Sequence, residues 1–136
     1  EDLILIDLVT GKFTANQVLR KFKQTADRDG KNVKIRIEQE PGSQSKILIN
    51  KFRKDPAFKG FNIRGDKVRY KKNIRSFDLE ALAENGNIWF VNADWNIDVI
   101  DHLVAFTGQE GKPDDIADAC TGSARFWRKP KSKINV

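Results

Sequence analysis

"VKIRIEQEPGSQSK", Val33 to Lys46, decides what kind of chain this is. Its first six residues alternate. Val33, Ile35 and Ile37 fall on one side of an extended chain, Lys34, Arg36 and Glu38 on the other. A period of two predicts a strand over Val33–Glu38 with one apolar face. "QEPGSQSK" follows as a loop, and a helix is expected from about Ser45 to Lys54, burying Leu48 and Phe52. Glu38 and Glu40 lie two apart at the strand's end. While the chain stays extended they face the same side.

Further out, strands and helices alternate. Upstream, Leu3–Val9 ("LILIDLV") is too uniformly apolar for a one-sided strand and reads as a central one. Thr14 can cap a helix carrying Ala15, Val18, Leu19, Phe22 and Ala26 on one stripe, with Gly30 as its C-terminal cap. Downstream, "FNIR" is a short strand, and a helix is expected from about Asp66 to Glu84, carrying Tyr70, Ile74, Phe77 and Ala81 and stopped by Gly86. "NIWFVN" is another strand, and Ile97, Ile100, Leu103 and Val104 mark the next helix. Asp114 opens the last helix, which reaches about Trp127. A basic tail, residues 128–136, follows. This order, without internal repeats, predicts an α/β sheet covered by helices.

The last helix raises a chemical question. At ~100° per residue, Asp115 lies near 100° and Asp118 near 40° from Asp114, so all three share one arc. Ile116, Ala119, Cys120 and Ser123 gather opposite, a small-residue face suited to close packing. Acids in a first turn suit the helix dipole, and Asp is a favoured cap. A solvated cap and a cation site are both consistent with this pattern. Carboxylates at a strand end and a helix start are the donors that hard ions such as Mg²⁺ or Mn²⁺ take. Two such ions about 4 Å apart can activate water and stabilise the leaving oxygen in phosphodiester cleavage.

Composition sets the bounds. The chain has 136 residues, 39% hydrophobic, a size for one domain with a core. The net charge of +6 permits a polyanionic partner such as nucleic acid. One cysteine, Cys120, rules out an internal disulfide and a multi-cysteine zinc site, and suits a reducing cytosol. No apolar run approaches the ~20 residues of a membrane span, and no secretory signal is visible. His102 sits in an amphipathic helix and is assigned no role. Nothing supports a Cys- or Ser-based triad.

The segments "GKFTANQVLRKFKQTADRDGKNVKIRIEQEPGSQSK", "GDKVRYKKNIRSFDLEALAENGNIWFV", "WNIDVIDHLVAFTG" and "GKPDDIADACTGSA", in that order, resemble the C-terminal nuclease domain of phage terminase large subunits. The resemblance covers nearly the whole chain. It implies a ribonuclease H-like mixed sheet flanked by helices, over residues 1–127. It also implies a metal-dependent endonuclease that cuts concatemeric double-stranded DNA for packaging, in the host cytoplasm, using Mg²⁺ or Mn²⁺ in a two-metal site. Its implied partners are the terminase ATPase domain, the small terminase subunit and the portal. No GxxxxGK[ST] loop is present, so no ATPase is assigned to this chain. By resemblance, Glu38 and Asp115 are the catalytic acids, Asp114 helps with a second metal, and Asp118 supports the site. Lys67 and Arg69, after "GD", match basic positions that contact the DNA backbone, and Lys71, Lys72 and Arg75 extend that run.

The chain departs from the family in two places. Pro113 stands where the family usually has His before "DD". The family's first catalytic Asp lies on a strand upstream of the one matching "LILIDLV", and Asp7 does not replace it. The start without Met, inside an apolar run, reads as a piece of something longer, lacking its first strands. That reading predicts a weak or inactive nuclease with an open sheet edge available to a second copy. Two other classes stay open: a ribonuclease H-like resolvase, favoured by preference for branched DNA, and a non-catalytic DNA-binding piece of a packaging motor.

Overall fold

The computed structural model describes residues 2–67, 76–106 and 115–127. The element order is β1 (Leu3–Leu5), α1 (Ala15–Asp29), β2 (Ile35–Gln39), α2 (Ser43–Lys54), a 3-10 turn (Pro56–Phe58), β3 (Ile63–Lys67), α3 (Phe77–Glu84), β4 (Ile88–Phe90), α4 (Asn96–Ala105) and α5 (Asp115–Trp127). The α/β class is as expected. Among the described residues, however, the strands pair as two two-stranded parallel sheets, β1–β4 and β2–β3, rather than as one mixed sheet. The chain gathers into two compact units. One is contiguous and holds α1, β2, α2 and β3. The other joins β1 to the elements from α3 onward. No helix among the described residues is long and apolar enough to cross a membrane.

In the contiguous unit, α1 begins where a side chain replaces the missing helix carbonyl. The Gln17 amide donates to Thr14 Oγ1 at 3.3 Å, and the Thr14 amide donates to Gln17 Oε1 at 2.9 Å. This reciprocal capping box satisfies two end donors. At the other end Gly30 takes φ +86°, which a side chain would resist, and its amide donates to Ala26 O at 2.9 Å. The predicted apolar stripe is only partly used. Phe22 and Ala26 pack inward, whereas Val18 and Leu19 are exposed.

Strand β2 pairs with β3 in parallel, with Ile35 opposite Ile63, Arg36 opposite Arg64, Ile37 opposite Gly65, Glu38 opposite Asp66 and Gln39 opposite Lys67. Alternation sends Ile35, Ile37 and Ile63 to one face, where they meet Ala26 and Phe58 with Phe22, Phe52 and Phe61 around them. Phe22 stacks on Phe52 at 4.9 Å between ring centroids, and Phe58 sits edge-on to both at 5.4 and 5.7 Å. Helix α2 covers the same side through Ile49, only 4% exposed. Leu48, expected inside, is half exposed, and Phe52 is partly buried as expected. Asp66 and Lys67 were expected to open a helix. Pairing with β2 holds them extended instead, a long-range constraint that local periodicity does not contain.

The other unit has its own core. Leu3, Leu79, Leu82, Val99, Ile116, Cys120 and Ala124 form it, with Leu5, Ile88, Phe90, Trp95 and Leu103 packed against them. Strand β1 pairs Leu3 with Ile88, Ile4 with Trp89 and Leu5 with Phe90. It is three residues long where seven were expected, and Ile4, Ile6 and Val9 are exposed, so the apolar run is not a doubly covered strand. Helix α4 turns Val99 inward, 2% exposed, and leaves Ile97, Ile100 and Val104 out. Helix α5 buries Ile116, Ala117, Cys120, Thr121 and Ala124, not the predicted Ala119 and Ser123. Ser123 Oγ instead donates back to Ala119 O at 2.9 Å. Small side chains at 117, 120, 121 and 124 let this helix sit close to its neighbours.

Candidate metal and DNA-binding site

The acid that the sequence singled out stands at the C-terminal end of β2. Glu38 is exposed, and the ladder sets Asp66 of β3 directly opposite. Side chains two apart on a strand share a face, so Arg36 and Glu38 lie on one side with Arg64 and Asp66 beside them. That is the side away from Ile35, Ile37 and Ile63. The strand ends at Gln39, so exposed Glu40 lies beyond the ladder and does not continue the line of Glu38.

Asp66 is the residue the sequence reading missed as an acid. It was visible only as part of "GDK". The signal that could have found it is "IRGDK" read as a strand, with Ile63 inward and Arg64 and Asp66 outward, matching "IRIEQ" residue for residue.

Asp115 is exposed at the first position of α5, and Asp118, one turn on, is partly buried. Both stand at the helix end whose free amides favour negative charge. The burial of Ile116, Ala117 and Cys120 fixes which way these acids lie, because docking that stripe leaves Asp115 on the outer side. Glu38 belongs to the contiguous unit, Asp115 and Asp118 to the other. Lys67 is exposed at the end of β3. Asp114, Arg69, Lys71, Lys72 and Arg75 lie outside the described residues.

Electrostatics separate these groups. Burial, and then the neighbouring Arg64 charge, lower the Arg36 pKa, while Asp66 acts in the opposite sense. Arg36 Nη1 donates to Ile35 O at 2.8 Å and to Asn62 Oδ1 at 3.3 Å, which ties its guanidinium to the start of β3. Burial pushes the Cys120 thiol up to about 11, so at neutral pH it is an inert core group. His102 is exposed on α4.

The donor chemistry is right for a hard divalent cation, since carboxylate oxygens are what Mg²⁺ and Mn²⁺ take. Among the described residues, however, no three or more His, Cys, Asp or Glu side chains are grouped to hold a metal ion. What the sheet brings together is a pair, Glu38 and Asp66. Mg²⁺ is commonly held by one or two carboxylates with waters and substrate phosphates filling its remaining positions.

Parallel strands carrying Glu38 and Asp66 near their ends, with helices packed on the other face, make an α/β arrangement. The chain belongs to the Terminase RNaseH-like domain family, whose model matches residues 4–123. The matched span includes both Glu38 and the Asp114–Asp118 segment. No curated protein and no solved structure matched the chain.

Proposed function

We propose that this chain is the metal-dependent endonuclease domain of a phage terminase large subunit, cutting concatemeric double-stranded DNA during genome packaging. The observation that carries the reading is the family match across residues 4–123, spanning both acidic segments, with Glu38 and Asp66 paired at a strand end in support. Glu38 and Asp115 are the catalytic carboxylates. Asp114 and Asp118 complete the metal-holding set on the second segment, and Asp66 stands beside Glu38. Bound Mg²⁺ or Mn²⁺ would supply Lewis-acid chemistry at the phosphate. The carboxylates orient that charge, and the basic run Lys67, Arg69, Lys71, Lys72 and Arg75 holds the DNA backbone. The ATPase domain, the small terminase subunit and the portal are its partners in this reading.

Two measurements test it. Mn²⁺ binding, followed by electron paramagnetic resonance, should weaken at least tenfold in Glu38→Gln. Nicking of a supercoiled plasmid in Mg²⁺ or Mn²⁺, expected to be weak for this chain, should stop in EDTA and in Asp115→Asn. Cutting that persists in both Glu38→Gln and Asp115→Asn would place the active site elsewhere. The second reading is a DNA-binding piece of a packaging motor without chemistry. That reading requires metal-independent DNA binding with no Mn²⁺ uptake.

A further inference from the structure

Charge is divided unevenly along this chain. Residues 11–67 hold 15 Lys and Arg against 6 Asp and Glu, a net of +9, while the remainder nets −3. The surplus therefore sits in the contiguous unit, most of it outside the basic run after "GD".

The outer face of the β2–β3 sheet arranges part of that charge in an unusual order. Arg36 stands opposite Arg64, and two residues further along Glu38 stands opposite Asp66. Like charges directly opposite on neighbouring strands repel and weaken a sheet. Diagonal attraction, as of Asp66 for Arg36, offsets part of this. The result is a cationic pair set next to an anionic pair on one face of the sheet. That arrangement suits an anion and a cation lying next to each other.

The structure assigns Arg36 and Arg64 to a phosphate clamp, a paired guanidinium site for the DNA backbone on the same sheet face as Glu38 and Asp66. The assignment rests on the nuclease reading above and adds a binding site to it. Two strand residues advance about 6.6 Å. Along one DNA strand, neighbouring phosphates lie roughly 7 Å apart, because the backbone winds round the axis while rising about 3.4 Å per nucleotide. A strand lying along β2 and β3 would place one phosphate at the carboxylate end and the next at the arginine pair. Arginine suits that role because its planar fork meets phosphate oxygens two at a time. The two members differ in preparation. Arg36 is tethered by its bonds to Ile35 O and Asn62 Oδ1. Arg64 is exposed and makes no hydrogen bond or ion pair among the described residues.

The test is fluorescence anisotropy with a labelled 25-base-pair duplex, in EDTA so that nothing is cut, over a series of KCl concentrations. Arg64→Gln is the cleaner arm, since that side chain makes no hydrogen bond or ion pair among the described residues. It should weaken binding about tenfold and reduce the slope of log K against log[KCl] by about 1. The double variant Arg36→Gln, Arg64→Gln should lose more of both, and Arg64→Lys should keep the slope while losing affinity. Lys51→Gln with Lys54→Gln removes the same charge from the last turn of α2 and should change affinity less than threefold. Equal losses in the α2 and arginine variants, or an unchanged slope in Arg64→Gln, would overturn the clamp while leaving the nuclease reading intact. No duplex binding by the unmodified chain at low salt would overturn both. Tighter binding to duplex RNA or polyglutamate than to duplex DNA would overturn the choice of partner.

Discussion

Replacing Gly65 with alanine tests how the sheet that carries Glu38 and Asp66 is held. Gly65 lies between Arg64 and Asp66, on the inner face, under α2. A Cβ built there would meet Ile49 Cδ1 at 2.8 Å and would press on Gln39 Oε1 as well. The first distance is about 1 Å inside the ~3.5–4.0 Å optimum between carbon atoms. Gln39 is partly exposed and can swing away, but Ile49 is 4% exposed and has little room. Overpacking of this kind costs about 1–3 kcal/mol. Gly65 is in ordinary strand backbone, so alanine also restricts the unfolded chain, a gain of about 0.4–1 kcal/mol. The net expectation for Gly65→Ala is a loss of about 1–2 kcal/mol, read from urea unfolding. Ile49→Val removes Cδ1 and alone costs about 0.5–1.5 kcal/mol. Combined, the two should cost about 1 kcal/mol less than their sum, because the second change removes the atom the first collides with. Additive losses, or a stabilised Gly65→Ala, would show that α2 does not rest on this glycine.

Further expectations follow from other parts of the chain. The Cys120 thiol is held neutral in the core, with its pKa raised from 9.0 to about 11 by burial. Its contribution is therefore fully present below about pH 9 and lost as pH rises through 11, which amounts to about 2 kcal/mol at about pH 10.5. Comparing urea unfolding of the chain and Cys120→Ala in EDTA at about pH 7.5 and 10.5 isolates it, and parallel pH dependences would refute it. Thr14→Ala should lower stability by about 1 kcal/mol by removing the Oγ1 acceptor of the Gln17 amide in the α1 capping box, with Thr14→Ser restoring most of it.

The features legible in sequence were those decided by neighbours. Thr14 as a cap, Gly30 and Gly86 as stops, and Glu38 on a strand with Ile35 and Ile37 behind it each depend on a few adjacent residues. What failed was the choice of inward face. In α2, Ile47, Leu48 and Ile49 are consecutive apolar residues, and only contact with Gly65 and the sheet selects Ile49. In α4 the apolar positions form one broad arc, and packing took its Val99 edge over Ile97, Ile100 and Val104. In α5 small residues occur all round, so spacing did not separate Ala119 from Ala117. Asp66 was misplaced for another reason. Its conformation is set by a strand 28 residues earlier in the chain, through the pairing with Glu38. The carboxylate pair therefore existed only once the ladder was known.

The pairing of Leu3–Leu5 with Ile88–Phe90 has a consequence for the order of assembly. During synthesis, the contiguous unit is complete before β4 emerges, whereas the pairing of β1 with β4 has to wait for it. Closing that loop of about 80 residues costs configurational entropy that rises with the logarithm of its length. If the intervening unit folds first, the flexible part shrinks to about a third, and the cost falls by about 1 kcal/mol. Formation of the phenylalanine cluster should thus precede the docking of α5, and changes at Phe58 should slow the appearance of both units, while changes at Val99 should act on one alone. A three-residue strand is too short to wait alone without help. The early unit, by shortening its search, makes the late contact kinetically accessible.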